Sequence, residues 1–163
     1  MTRRATFRCD AGRELGLGHA MRCRTLASSL KASGWHVDWA CRPSAELLQV
    51  LGRNPDLALP GEPSFAPPPT AEAETLGTFA RGADWIVVDH YGADAAWLSR
   101  LREVSHGARV LLFDDHQTRT GADLRLAPLQ PPTSQTLSGL EYLMLRAPFC
   151  STPVKDTQAR NGF

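Results

Sequence analysis

Three short polar clusters hold the residue types that could do chemistry. The first is GLGHAMRC, Gly16 to Cys23. Gly16 and Gly18 lack a Cβ, so the backbone there can turn sharply and come close to a ligand. A helix starting at His19 would point its free N–H groups and positive dipole end at whatever lies in front of it. That positive end disfavours the imidazolium, so His19 is read as neutral and able to act as a general base towards water. The same spacing also fits a glycine turn whose histidine merely hydrogen-bonds the loop. Arg22, on the first helical turn, would either neutralise a ligand phosphate or hold a nearby carboxylate, and the second use is the commoner.

The second cluster is Asp89-His90-Tyr91, directly after the apolar run DWIVVD. Tyr91 can offer a phenol to a ligand hydroxyl or to an attacking water. Taken alone, an Asp89 that caps the next turn and a Tyr91 that packs is the simpler account. The third is Asp114-Asp115-His116. These are sound metal ligands by type, but sequence neighbours point in different directions and no helical His-x-x-x-His spacing supports them, so no metal is expected. Nor is a dinucleotide cofactor expected. Gly16-Leu17-Gly18 begins such a fingerprint, but Met21 stands at the third glycine position and Asp38 falls inside a strand pattern. His36, in that strand, and His106, beside a helix end, are read as structural.

The elements that must position these clusters alternate between β-prone apolar runs and helical patterns, which argues for a parallel sheet flanked by helices. Strands are expected at Ala5 to Cys9, His36 to Cys41, Leu57 to Leu59, Asp84 to Asp89 and Arg109 to Phe113, with a last one at Tyr142 to Leu145. Helices are expected at His19 to Ala32, from Pro43 to Leu51, Ala71 to Phe79 and Ala93 to Val104. In the first of these, Cys23, Leu26, Ala27 and Leu30 make one apolar stripe. Pro60 to Pro69 reads as a stiff surface loop. In open α/β sheets ligands bind beyond the carboxyl ends of the strands. Asp10 with its glycine loop, Asp89-His90-Tyr91 and Asp114-Asp115 all stand at such ends, so they should converge on one crevice.

The chain has 163 residues, of which 42% are apolar and 21% charged, the make-up of a soluble globular domain. A net charge of +1 gives no general reason to bind nucleic acid or an anionic membrane. There is no signal peptide pattern and no run of about 20 apolar residues. The cysteines at 9, 23, 41 and 150 have no metal-ligand spacing and suit a reducing compartment. A cytoplasmic location is the expectation.

Together, GLGHAMRCRTLASSL, DWIVVDHYGADAAWL, LLFDDHQTR and YLMLRAPF resemble the PseG family, the UDP-2,4-diacetamido-2,4,6-trideoxy-β-L-altropyranose hydrolases of pseudaminic acid biosynthesis. The resemblance runs from Arg8 to about Phe149. It implies a Rossmann-like parallel sheet with flanking helices, equivalent to the N-terminal half of a GT-B fold, over residues 1–149. The activity it implies is metal-free hydrolysis at the anomeric carbon, releasing UDP with inversion. His19 then falls on the family's catalytic histidine and Tyr91 on its tyrosine beside the sugar and the water. Asp10, Gly16, Gly18, Met21, Arg22, Asp89, His90 and Asp115 are expected to face the substrate.

Where the family carries an acid-amide segment, Asp123 to Leu129 reads DLRLAPL. The resemblance implies a second, nucleotide-binding domain that these residues do not include, and residues 150–163 read as an irregular tail, which fits a truncation, a frameshift or a natural half-protein alike. The resemblance therefore implies that the isolated chain turns over UDP-sugar slowly or not at all. It leaves self-association or a separate nucleotide-binding chain as partners. The alternative is a glycosyltransferase-like half-domain that binds a sugar or acceptor without hydrolysing it.

Overall fold

The computed structural model describes residues 2–115 and 121–145. His116, the arginine of the DD-x-x-x-R pattern (Arg119), Phe149 and the tail from Cys150 lie outside the described residues. Seven parallel strands form a single sheet in the order β3-β2-β1-β4-β5-β6-β7. They are β1 (Arg4–Cys9), β2 (His36–Cys41), β3 (Leu57–Ala58), β4 (Trp85–Asp89), β5 (Arg109–Phe113), β6 (Leu124–Leu126) and β7 (Thr136–Leu137). The helices are α1 (Gly18–Ala32), α2 (Ala45–Leu51), α3 (Thr70–Phe79) and α4 (Ala95–Ser105). This is the Rossmann-like α/β arrangement that the alternation of patterns predicts.

Both faces of the central strands are covered, which is why their sequences read as nearly continuous apolar runs. Phe7, Val87 and Phe113 pack under α1 and α2 with Cys23, Ala27 and Leu47. Their strand neighbours Ile86, Val88, Val110 and Leu112 pack on the opposite side against Leu76, Trp97, Leu98 and Leu101 of α3 and α4. Phe7, Ile86 and Leu112 are wholly removed from solvent, and burying a side chain of that size is worth about 1.5–3 kcal/mol. On this second face α3 meets α4 closely at Gly77, where an added methyl would lie 3.0 Å from Val104 Cβ.

Helix ends fall where local chemistry sets them. The helix expected from Pro43 starts two residues later, because Ser44 is its N-cap and accepts a hydrogen bond from the Leu47 amide at 2.9 Å. Asp94 does the same for the Trp97 amide at 2.8 Å, so α4 begins at Ala95 rather than Ala93. Beyond α4 the expectation needs correcting. Tyr142 to Leu145 is no strand: Leu140–Tyr142 is a short 3-10 turn, and the sheet is extended instead by β6 and β7. These strands have three and two residues, too few for an alternating pattern to register. β6 is tied to β5 where the Asp123 carboxylate accepts the Val110 amide at 2.8 Å. No helix among the described residues is long and apolar enough to cross a membrane.

The chain leaves β1 through α1 to β2 on one side, and later enters β4 on the other side of β1. A crevice must open at that reversal, outside the carboxyl ends of β1 and β4. β5, which ends at Asp114-Asp115, is the next neighbour of β4.

Candidate active site

Side-chain alternation at the crevice splits the polar residues into two groups, one on each face of the sheet. Asp89 ends β4 on the α1 face, and its side chain is fully buried. His19, the second residue of α1, brings Nδ1 to 2.6 Å from Asp89 Oδ1. Arg22 lies one helical turn on, so it shares that face of α1. It grips the same carboxylate with two nitrogens, with Nη2 at 2.6 Å from Oδ1 and Nε on Oδ2. Arg22 Nη1 reaches Asp115 at 2.7 Å, and its guanidinium lies over the Phe113 ring at 4.8 Å. The Tyr91 hydroxyl donates to the same Asp115 oxygen at 3.2 Å. The Tyr91 ring meets the His19 imidazole edge-on, with centroids 4.6 Å apart.

A continuous chain of contacts thus runs Tyr91, Asp115, Arg22, Asp89, His19. Burial opposes charge on Asp89, but hydrogen bonds from Arg22 and then His19 outweigh it and hold the carboxyl below its ordinary value. An ionised Asp89 accepts only, so it draws the His19 proton to Nδ1 and leaves Nε2 with the lone pair. In the sequence alone, the start of α1 is what prepares His19. The structure adds the Asp89 carboxylate as the group that orients the ring. Asp89 is not a turn cap, and Arg22 takes the commoner of its two expected roles.

The second group lies on the α3 face; Asp10 and His90 were expected at the site, whereas Arg8, Arg42 and Glu72 were not. Arg8, the residue before the last of β1, is wholly buried. It donates to both oxygens of Asp10, at 2.7 and 3.1 Å, and to Glu72 of α3 at 2.8 Å. Arg42 completes the ring, with Nη2 on Glu72 at 2.6 Å and its backbone amide on Asp10 at 3.1 Å. Burial works against charge on Arg8, yet the Asp10 and Glu72 carboxylates raise its pKa above the usual arginine range. His90 joins from β4's end, with Nε2 3.7 Å from Asp10, and its Nδ1 accepts the Gly92 amide at 3.0 Å. Burial first, and then the Arg8 charge, push His90 down to about 4. It is a neutral imidazole.

The two groups meet at a hollow of about 10 Å³ lined by Asp10, Leu15, His19, Ser64, Phe65, Asp89, His90 and Tyr91. A space of that order is what one water molecule needs. The structure therefore brings His19, Tyr91, Asp89, His90 and Asp10 to one place and links Arg22 and Asp115 to it. Asp10 lines the hollow while Arg8 holds both of its oxygens. Gly16 shapes the loop: with φ of 71°, it closes a bridge to Gly12 through amide–carbonyl bonds of 2.7 and 3.4 Å. Gly18 and Met21 do not line the hollow. They face an open groove of about 520 Å³ with Leu17, Arg24, Gln49 and Val50.

Three thiols sit beneath the site. Cys9, Cys23 and Cys41 are buried and free, and Cys9 and Cys41 have sulfurs 4.0 Å apart. Burial holds the Cys23 thiol up at about 11, so it behaves as packing rather than as a nucleophile. Among the described residues, no three His, Cys, Asp or Glu side chains are grouped to hold a metal ion.

The missed residues left faint traces. Arg8 was the one charged residue inside an otherwise strand-like run, and Glu72 sat in a helix's first turn, where an acid is ordinarily solvated. Only the pairing of the two across 64 residues gives either a meaning. In comparisons with known proteins, no family model, no curated sequence and no solved structure matches the chain.

Proposed function

We propose that the chain is the sugar-facing domain of a UDP-sugar hydrolase, acting on UDP-2,4-diacetamido-2,4,6-trideoxy-β-L-altropyranose. The observation that carries this reading is the oriented pair His19–Asp89 at the rim of a water-sized hollow, with Tyr91 against the imidazole. A histidine whose Nδ1 is tied to a buried carboxylate is arranged to accept a proton at Nε2 and to be stabilised once it has done so.

In the reaction, water in the hollow attacks the anomeric carbon as the bond from that carbon to the β-phosphate oxygen breaks. UDP leaves with the bonding electrons, and His19 Nε2 takes the water's proton and later returns it to solvent. Attack from the face opposite the leaving group inverts the anomeric centre. Tyr91 donates its own proton to Asp115 and stands against the imidazole, where the water or a sugar hydroxyl would donate to its phenol oxygen. α1 begins without a side-chain cap and without an acid in its first turn. Its leading amides are thereby left to meet a departing anion.

The test is to incubate purified chain at high concentration with this UDP-sugar, following UDP release and anomeric configuration by proton NMR. The expected result is slow release with inversion, lost in His19→Ala. Release that is indifferent to His19→Ala overturns the reading. Binding of the UDP-sugar with no release at all favours a sugar-binding half-domain instead.

A further inference from the structure

Two aromatic side chains beside the hollow remain open to solvent. Phe65 is 50% exposed and Tyr91 37% exposed, and their rings are nearly parallel, 16° apart, with centroids at 6.2 Å. Tyr91 in turn touches His19. A flat apolar shelf therefore leads straight to the imidazole. Both rings belong to the wall of the hollow, which is itself too small for anything larger than water. A ligand that is to present a reacting carbon to water in that hollow must lie on top of it, and the surface offered there is this shelf.

The shelf is held in place. Phe65 belongs to the segment Pro60 to Pro69, whose prolines restrict it before any ligand arrives. Three contacts fasten it. Pro63 packs on Gly12, where an added Cβ would lie 3.1 Å from Pro63 Cβ. The Glu62 carbonyl accepts from Arg42 at 3.3 Å, and Arg42 is itself locked to buried Glu72. Ala66 and Pro67 press on Gly92 so closely that a methyl there would fall 2.6 Å from the Ala66 carbonyl oxygen. The buried charge ring and the tight turn after Tyr91 thus hold Phe65 over its stacking partner. Leaving an aromatic half-exposed on a stiffened loop forgoes burial energy that the fold could otherwise have used.

The geometry points to Phe65, stacked on Tyr91, as the platform for the apolar face of the substrate's pyranose ring, selecting sugars with deoxygenated and N-acylated positions. This rests on the UDP-sugar reading of the same site. The C–H bonds on one face of a pyranose carry slight positive charge and suit the negative face of an aromatic ring, as other positive groups do. A missing hydroxyl and acetyl methyl groups enlarge that apolar contact. The ring that lies here must be the one bearing the bond to be broken, because the shelf ends at His19. A uracil base on the same shelf would leave no sugar carbon above the hollow.

The experiment measures binding by calorimetry to the full chain, wild type and variants, with three probes: the 2,4-diacetamido-2,4,6-trideoxy UDP-sugar, UDP-N-acetylglucosamine and UDP. Phe65→Ala removes half-exposed surface from a loop and keeps the core. It is expected to weaken the trideoxy sugar roughly ten-fold, to weaken UDP-N-acetylglucosamine less, and to leave UDP unchanged. Phe65→Tyr restores the affinity. Gly92→Ala, which displaces the loop without altering Phe65, reproduces the loss. Equal losses for all three probes, or none for any, overturn the platform while the hydrolase reading stands on its own assay. A wild-type chain that binds UDP but does not distinguish it from the trideoxy sugar overturns the platform and the UDP-sugar reading together.

Discussion

His19 Nδ1 and Asp89 Oδ1 are 2.6 Å apart, joining the first turn of α1 to the last residue of β4 across 70 positions of sequence. The carboxylate is inaccessible to solvent, so its one task towards His19 is to choose a tautomer and steady the ring. In Asp89→Asn the amide can donate as well as accept, and the preference for a proton on Nδ1 disappears. Wherever UDP release is measurable, it is expected to fall by roughly 10²–10⁴-fold, with KM changing little. A variant that retains full turnover would show that the pair is structural.

Arg22 separates two functions that a bare positive charge would combine. It forks onto Asp89 and reaches Asp115 with its remaining nitrogen, a geometry that an ammonium cannot copy. Arg22→Lys is expected to destabilise the fold by about 1–3 kcal/mol in chemical denaturation and to free Asp115. Tyr91 then loses the alignment of its acceptor. Unchanged stability would mean that lysine reaches both carboxylates.

These linkages mark the limit of what the sequence disclosed. Strands such as Trp85–Asp89 and Arg109–Phe113 were readable because burial on both faces leaves an unbroken apolar run. The gathering of Asp10, Asp89 and Asp115 at one edge followed from the parallel order alone. The partners did not follow. Asp89 looked like a turn cap because nothing local says that a helix 67 residues earlier supplies Arg22. Arg8 went unremarked inside β1 because its carboxylates come from Asp10 and from distant Glu72. Phe65 looked like loop because its stacking partner arrives only through the sheet. Periodicity reports which face is buried; it carries no information about which charge waits there.

The Arg8–Asp10–Arg42–Glu72 ring should behave as a structural clamp. Glu72 is 3% exposed, and its two oxygens serve two arginines. Glu72→Gln leaves buried positive charge short of a counter-ion, which costs about 3–5 kcal/mol as read from the urea midpoint. Glu74, two residues on and at the surface, pairs with Arg100 in solvent, so Glu74→Gln should barely move that midpoint. The same clamp holds the Phe65 loop through Arg42, so Glu72→Gln should also raise proteolytic cleavage within Pro60 to Pro69. Equal midpoints for the two variants would reduce the ring to an ordinary set of ion pairs.

His90 gives the fold its own acid limit. Burial beside Arg8 depresses its pKa from 6.5 to about 4, so the folded chain resists a proton that the unfolded chain accepts. Above pH 6.5 neither state is protonated there, and His90 leaves stability flat. As the pH falls from 6.5 towards 4, the unfolded state gains the proton first and stability declines, by about 3 kcal/mol over the interval. Below 4 this contribution levels off. The lowered carboxyl of Asp89 then adds a further loss, because its stabilisation is present above the ordinary aspartate value and disappears as the pH falls through its folded one. In His90→Asn a side-chain oxygen can still accept from the Gly92 amide, but nothing titrates. Thermal unfolding followed by circular dichroism between pH 8 and 4.5 should therefore give a falling melting temperature below 6.5 in the wild type and a flatter profile in His90→Asn. Parallel profiles would place the acid sensitivity elsewhere, in the carboxylates of the two clusters.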